Sequence, residues 1–154
     1  MKFFRKMYQK SKEQKGFTLV EMIVVLVIIA ILAAITIPAL LKYIDKAKDK
    51  QIIINARTAY LAAETAASEA YAAGTSVPTS KLLKFNQDTT RTATDVEKNA
   101  CQLTGISQNY VCIVTVDSQW KITQVKFGQG DKTATLDVNS SATWTVSNST
   151  LTLN

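Results

Sequence analysis

Residues 15–41 read KGFTLVEMIVVLVIIAILAAITIPALL. From Met22 to Leu41 only Thr36 and Pro38 depart from plainly apolar side chains. A helix of about 20 such residues spans ~30 Å, the thickness of a bilayer's hydrocarbon core. A core helix of a water-soluble domain carries a polar face, and this segment has none. The run is therefore expected to insert in a membrane. A basic stretch followed by an apolar run also fits a secretory signal, with Ala33-Ala34 as a cleavage point. The length of the run and the helical pattern continuing beyond it weigh against that alternative.

Glu21 stands at the start of this run, where an ionised carboxylate in lipid is expensive and usually functional. Thr18-Leu-Val-Glu21 has the spacing of a capping box, and an acid in the first turn suits the helix dipole. The surrounding residues, Lys15-Gly16-Phe17-Thr18-Leu19-Val20-Glu21, resemble the processing site of type IV prepilins and their pseudopilin relatives. The resemblance covers residues 15–45. It implies peptidase cleavage between Gly16 and Phe17 and N-methylation of Phe17. It also implies that Glu21, helped by Thr18, meets the N-terminal amine of a neighbouring subunit during assembly. Pro38 matches the helix-breaking proline of that family. Where many members have a glycine, this chain has Ala30.

The formal charge of +6 is unevenly placed. Residues 1–16 hold six basic side chains against Glu13, whereas from Phe17 onward twelve basic residues face eleven acids. The basic character therefore belongs to a leader that keeps the N-terminus cytoplasmic. A nucleic-acid binder would keep its charge in the folded domain, so nucleic acid is not indicated. There is no histidine, which excludes a Cys/His zinc site and a histidine-based catalytic dyad. Cys101 and Cys112 lie in the part expected outside the membrane. A disulfide there would add about 3 kcal/mol, and two free buried thiols are the alternative.

Beyond Leu41 a charged band (Lys42, Asp45, Lys46, Lys48, Asp49, Lys50) marks the interface, and the helical pattern continues. Ile53, Ala56, Tyr60, Ala63, Ala67 and Ala70 recur at helical spacing, and Gly74 and Pro78 close the segment. A helix over residues 17–73 would be about 85 Å long, more than a small domain can bury. Pro38 should kink it near Ala34. Residues 75–109 read as a connecting region: 79–84 as a turn or two of helix, 88–94 as solvated loop. Thr94-Asp-Val-Glu97 is a second capping box, opening a helix that ends near Leu103.

From Tyr110 the period becomes two. Residues 110–116 are apolar on both faces, the mark of a central strand. Trp120 and Ile122 alternate with polar residues, and Val125 and Phe127 then fall out of phase, which places a bulge near Gln124. Ala134, Leu136 and Val138 alternate likewise, then Ala142, Trp144 and Val146, then Leu151 and Leu153. The two tryptophans read as core. Gly128-Gln-Gly130 reads as a hairpin turn, and the sequons at Asn139 and Asn148 mean little if the source is bacterial.

The expected fold is α+β: a long N-terminal helix whose second half packs against a C-terminal antiparallel sheet, the arrangement the pilin resemblance implies. The domains are a removed leader (1–16), a transmembrane and filament-core helix (17–41), its amphipathic continuation (42–74), the connecting region (75–109) and the sheet (110–154). An enzyme is not expected: Asp117, Asp131 and Asp137 fall in turns or on a polar strand face, with no nucleophile and base together. No cofactor or metal is called for. The resemblance implies a homo-oligomeric helical filament at the cell surface, built from a single-pass precursor. Its partners would be the prepilin peptidase and methyltransferase and the assembly platform with its ATPase. A secretion or DNA-uptake pseudopilin, or a single-span anchor carrying a binding domain, are the other readings.

Overall fold

The computed structural model describes residues 16–87, 94–140 and 143–153. Helix α1, Leu19–Ala72, includes Pro38 without interruption. The one hydroxyl in its apolar run is satisfied locally, Thr36 Oγ1 donating to the Leu32 carbonyl at 2.9 Å. Its C-terminus is a Schellman motif: Thr75 N–H reaches the Ala70 carbonyl and Gly74 N–H that of Tyr71. Gly74 sits at φ +68°, the left-handed conformation the motif requires.

The chain divides into two compact units, the first ending at Ile44 and the second beginning at Asp45. In the first, the large apolar side chains of the helix are exposed, from Leu19 at 74% to Ile44 at 42%. This is the one helix among the described residues long and apolar enough to cross a membrane.

The second unit is built on a five-stranded antiparallel sheet with strands in sequence order: β1 Leu82–Asn86, β2 Val111–Val116, β3 Ile122–Gln129, β4 Lys132–Asp137 and β5 Thr145–Ser147. Its inner face carries Leu83, Phe85, Cys112, Val114, Val125, Phe127, Ala134 and Leu136. Against them α1 buries Ile52, Ala56, Ala59, Ala63, Ala66, Ala67 and Ala70. The helix supplies small side chains and the sheet large ones, so each fully buried Leu, Val or Phe contributes about 1.5–3 kcal/mol. Tyr110 joins the layers, its ring stacked 5.5 Å from Phe127 and edge-on 6.3 Å from Phe85.

Helix α2, Asp95–Thr104, starts on the expected box: Thr94 Oγ1 accepts from Glu97 N–H while the Glu97 carboxylate accepts from Thr94 N–H. It ends at Gly105, φ +59°. The bulge lies beside its expected place. Thr115 pairs with Gln124 and Val116 with Ile122, so Thr123 is the extra residue.

Three expectations are corrected. The stretch 79–84 is a turn followed by strand β1, so the connecting region contributes an edge strand to the sheet. Leu151 and Leu153 lie in no strand; Leu151 packs instead on the backbone of Gly128. Trp120 is buried as expected but occupies the β2–β3 turn at φ +63°, held by an indole N–H bond to the Thr75 carbonyl at 2.9 Å. The loop 88–93 and Ala142 lie outside the described residues.

Candidate functional site

The N-terminal segment supplies the site. Gly16, Phe17 and Thr18 precede α1 without regular structure, and Phe17 is 83% exposed. A Cβ added at Gly16 would meet nothing within 4 Å. Among the described residues, nothing packs on the Gly16–Phe17 pair. Lys15 and the rest of the basic leader lie outside the described residues.

Glu21 closes a capping box on the helix it begins. Its Oε2 accepts from Thr18 N–H and from Thr18 Oγ1, each at 2.8 Å, and its own N–H donates to Thr18 Oγ1 at 3.2 Å. Thr18 and Glu21 are thus brought together as the spacing predicts, and Phe17 precedes them directly. Pro38 lies further along the helix, inside the exposed apolar run.

Cys101 and Cys112 are both free thiols, so the bridge weighed in the sequence is not formed. Each sulfur has other surroundings. Cys101 Sγ donates to the Asn86 carbonyl at 2.9 Å and accepts from Tyr110 Oη at 3.5 Å. Cys112 points into the core, where burial pushes its thiol pKa up and keeps it neutral.

The headpiece acids are engaged in shaping turns. Asp117 Oδ1 accepts from the N–H groups of Gln119 and Lys121, and these bonds lower its pKa. Asp137 Oδ1 accepts from Asn139 and Ser140 in the same manner. Gly130 and Asp131 form the two-residue β3–β4 turn, with positive φ at the glycine as a type II′ turn needs. Lys132 is buried against α1, donating to Asp49 Oδ1 at 2.6 Å and to Asn148 Oδ1 at 3.1 Å. Asp49 holds the Lys132 pKa above its ordinary value. The charged band thus clamps helix to hairpin, a role its composition did not reveal. Among the described residues no group of His, Cys, Asp and Glu side chains is placed to hold a metal.

Comparison with known proteins agrees with the geometry of this end of the chain. Residues 11–37 match the prokaryotic N-terminal methylation motif. The chain is also similar to Fimbrial protein Q of Moraxella bovis, 50% identical over 40 residues, which is 26% of this chain and 26% of that protein. No solved structure gives a significant match. The methylation motif leads into a long apolar helix that an antiparallel sheet follows, a pilin-like α+β arrangement.

Proposed function

We propose that this chain is the structural subunit of a type IV pilus, stored in the membrane as a single-pass precursor and assembled after its leader is cut between Gly16 and Phe17. The carrying observation is the apolar helix from Leu19 to Ile44, whose large side chains the described chain leaves exposed. Lipid covers such a surface before assembly, and the helices of neighbouring copies cover it afterwards. The exchange is nearly balanced because lipid tails are as apolar as the side chains.

Processing tips that balance. Removing residues 1–16 deletes five net positive charges that oppose extraction and creates a free amine at Phe17. That amine can neutralise Glu21 of an adjacent copy, and a charge pair held away from water sets register as much as stability. The capping geometry supports this role, since Thr18 holds the carboxylate at the helix start, close in sequence to the new terminus. The partners are then other copies of the chain, the prepilin peptidase and methyltransferase, and the assembly platform with its ATPase. The five-stranded headpiece favours a surface pilus over a secretion or DNA-uptake pseudopilin.

Mass spectrometry of the N-terminal peptide from material sheared off cells tests the proposal. The expected peptide begins at N-methylated Phe17. A terminus at Met1 or near Ala34 would leave an anchored or secreted domain instead.

A further inference from the structure

Just past the apolar run, α1 sorts its charges onto different faces. Asp45 and Asp49 stand four apart and line one recess with Asp131 and Lys132 of the β3–β4 hairpin. Asp49 is held there by Lys132 Nζ at 2.6 Å. Lys46 and Lys50 repeat the same spacing one position further round the helix. Both are exposed, and among the described residues neither has an ion pair. Like charges at this spacing repel, so the pair weakens the isolated helix unless an anion lies against it.

Their distance from the apolar run says where that anion would come from. Lys46 lies five residues beyond Leu41, about 7 Å along a helix, and the polar layer on each side of a bilayer core is about 5–7 Å deep. Helical side chains lean toward the helix N-terminus, the end that carries the run, and long lysine stems let the ammonium reach headgroups. Tyr43, 70% exposed, precedes them with the amphipathic ring that collects at membrane–water interfaces. With the basic leader inside, these lysines fall on the outer side, where basic residues oppose the orientation the leader sets. From Phe17 to Leu41 there is no basic side chain, so removal of the leader leaves this band as the first cations of the chain.

We propose that Lys46 and Lys50 bind the phosphates of anionic phospholipid headgroups, holding the membrane-stored chain to the outer face of the bilayer by charge as well as by its apolar run. This rests on the membrane-stored reading and adds to it a requirement for a lipid class. The test places the full-length chain in nanodiscs of phosphatidylcholine or of an equal mixture with phosphatidylglycerol. Lysines are labelled with an amine-reactive ester, and each site is read by peptide fragmentation. Labelling of Lys46 and Lys50 should be about fivefold slower in the mixture, the scale of one lysine's attraction to an anionic surface. The exposed headpiece lysines Lys121 and Lys126 should be unchanged, and added salt should shrink the difference. Equal rates in the two lipids would overturn the contact. So would equal slowing by inorganic phosphate in phosphatidylcholine, which marks a free-anion site, or slowing that follows the number of chains per disc, which marks contact between copies. A chain that enters neither nanodisc would instead overturn the membrane-stored reading, and the contact with it. In native mass spectrometry, phosphatidylglycerol retained by the chain should fall in Lys46→Gln/Lys50→Gln and stay near normal in Lys46→Arg/Lys50→Arg. Equal retention by both double variants would exclude these lysines as the headgroup contact.

Discussion

Gly128 shows how one residue binds the end of the chain to its middle. It lies on β3 with its α-carbon face turned away from the Phe127 side, between Val111 and Thr133 on the neighbouring strands. Leu151 sits so close that a Cβ on residue 128 would stand 2.4 Å from the Leu151 Cβ and 3.4 Å from its Cα. Thr133 Oγ1 fixes the tail beside it by donating to the Ser149 carbonyl at 2.7 Å. A methyl group there must displace backbone, so Gly128→Ala should cost about 1–3 kcal/mol. Denaturant unfolding of the full chain in detergent measures this. Leu151→Ala removes part of the obstruction, so the double variant should lose less than the sum of the singles. Nothing in the spelling Gly128-Gln-Gly130 told these glycines apart: one admits the tail and the other makes the turn.

Edge protection is the lesson at the level of elements. β1 is an edge strand, with no neighbouring strand on its outer side, a hazard for strand addition. Helix α2 closes that side with two side chains. Glu97 Oε1 accepts from Lys84 N–H at 2.7 Å, and Cys101 Sγ donates to the Asn86 carbonyl. Glu97 therefore serves its own helix start and a strand thirteen residues earlier. Glu97→Ala removes both bonds and should cost about 1–2 kcal/mol. Local opening at β1 should rise more than global unfolding, so amide exchange at Lys84 should quicken about tenfold, ahead of the β3 amides. Equal acceleration at both would mean the two elements open only with the whole sheet.

At the scale of the molecule, the chain separates a packed headpiece from an exposed apolar helix. Its headpiece buries a core made from helix alanines and the leucines, valines and phenylalanines of the strands. Its other unit buries little of its large apolar surface, which lipid and then neighbouring chains would cover under the proposed function. Glu21→Ala tests that separation. Loss of the capping box should cost the exposed helix start about 1 kcal/mol, too little to unfold the headpiece or release the membrane helix. The variant precursor should therefore accumulate in the membrane with normal abundance while sheared filament falls strongly, read by quantitative blotting of the two fractions. Normal filament yield would remove Glu21 from assembly and leave it a helix cap alone.

The apolar run, the methylation motif, both capping boxes, the glycine that ends the long helix and four of the five strands were legible from local pattern. Those features answer to nearest-neighbour physics: helix periodicity, strand alternation, orphan backbone groups at helix ends and the lack of any polar face. β1 was not legible, because Leu82–Asn86 is short and follows a turn, and only its pairing with β2 makes it a strand. The helix stripe also moved by one position, with Ile52 and Ala59 buried while Ile53 and Tyr60 are half-exposed, so that an alanine rather than a tyrosine meets the sheet at position 59. The Asp49–Lys132 clamp, the Glu97 bond to β1 and the seat of Leu151 on Gly128 join residues 83, 13 and 23 positions apart. Contacts at such separations leave no periodic trace. They exist only once helix and sheet have set the geometry, so the tertiary structure alone decided them.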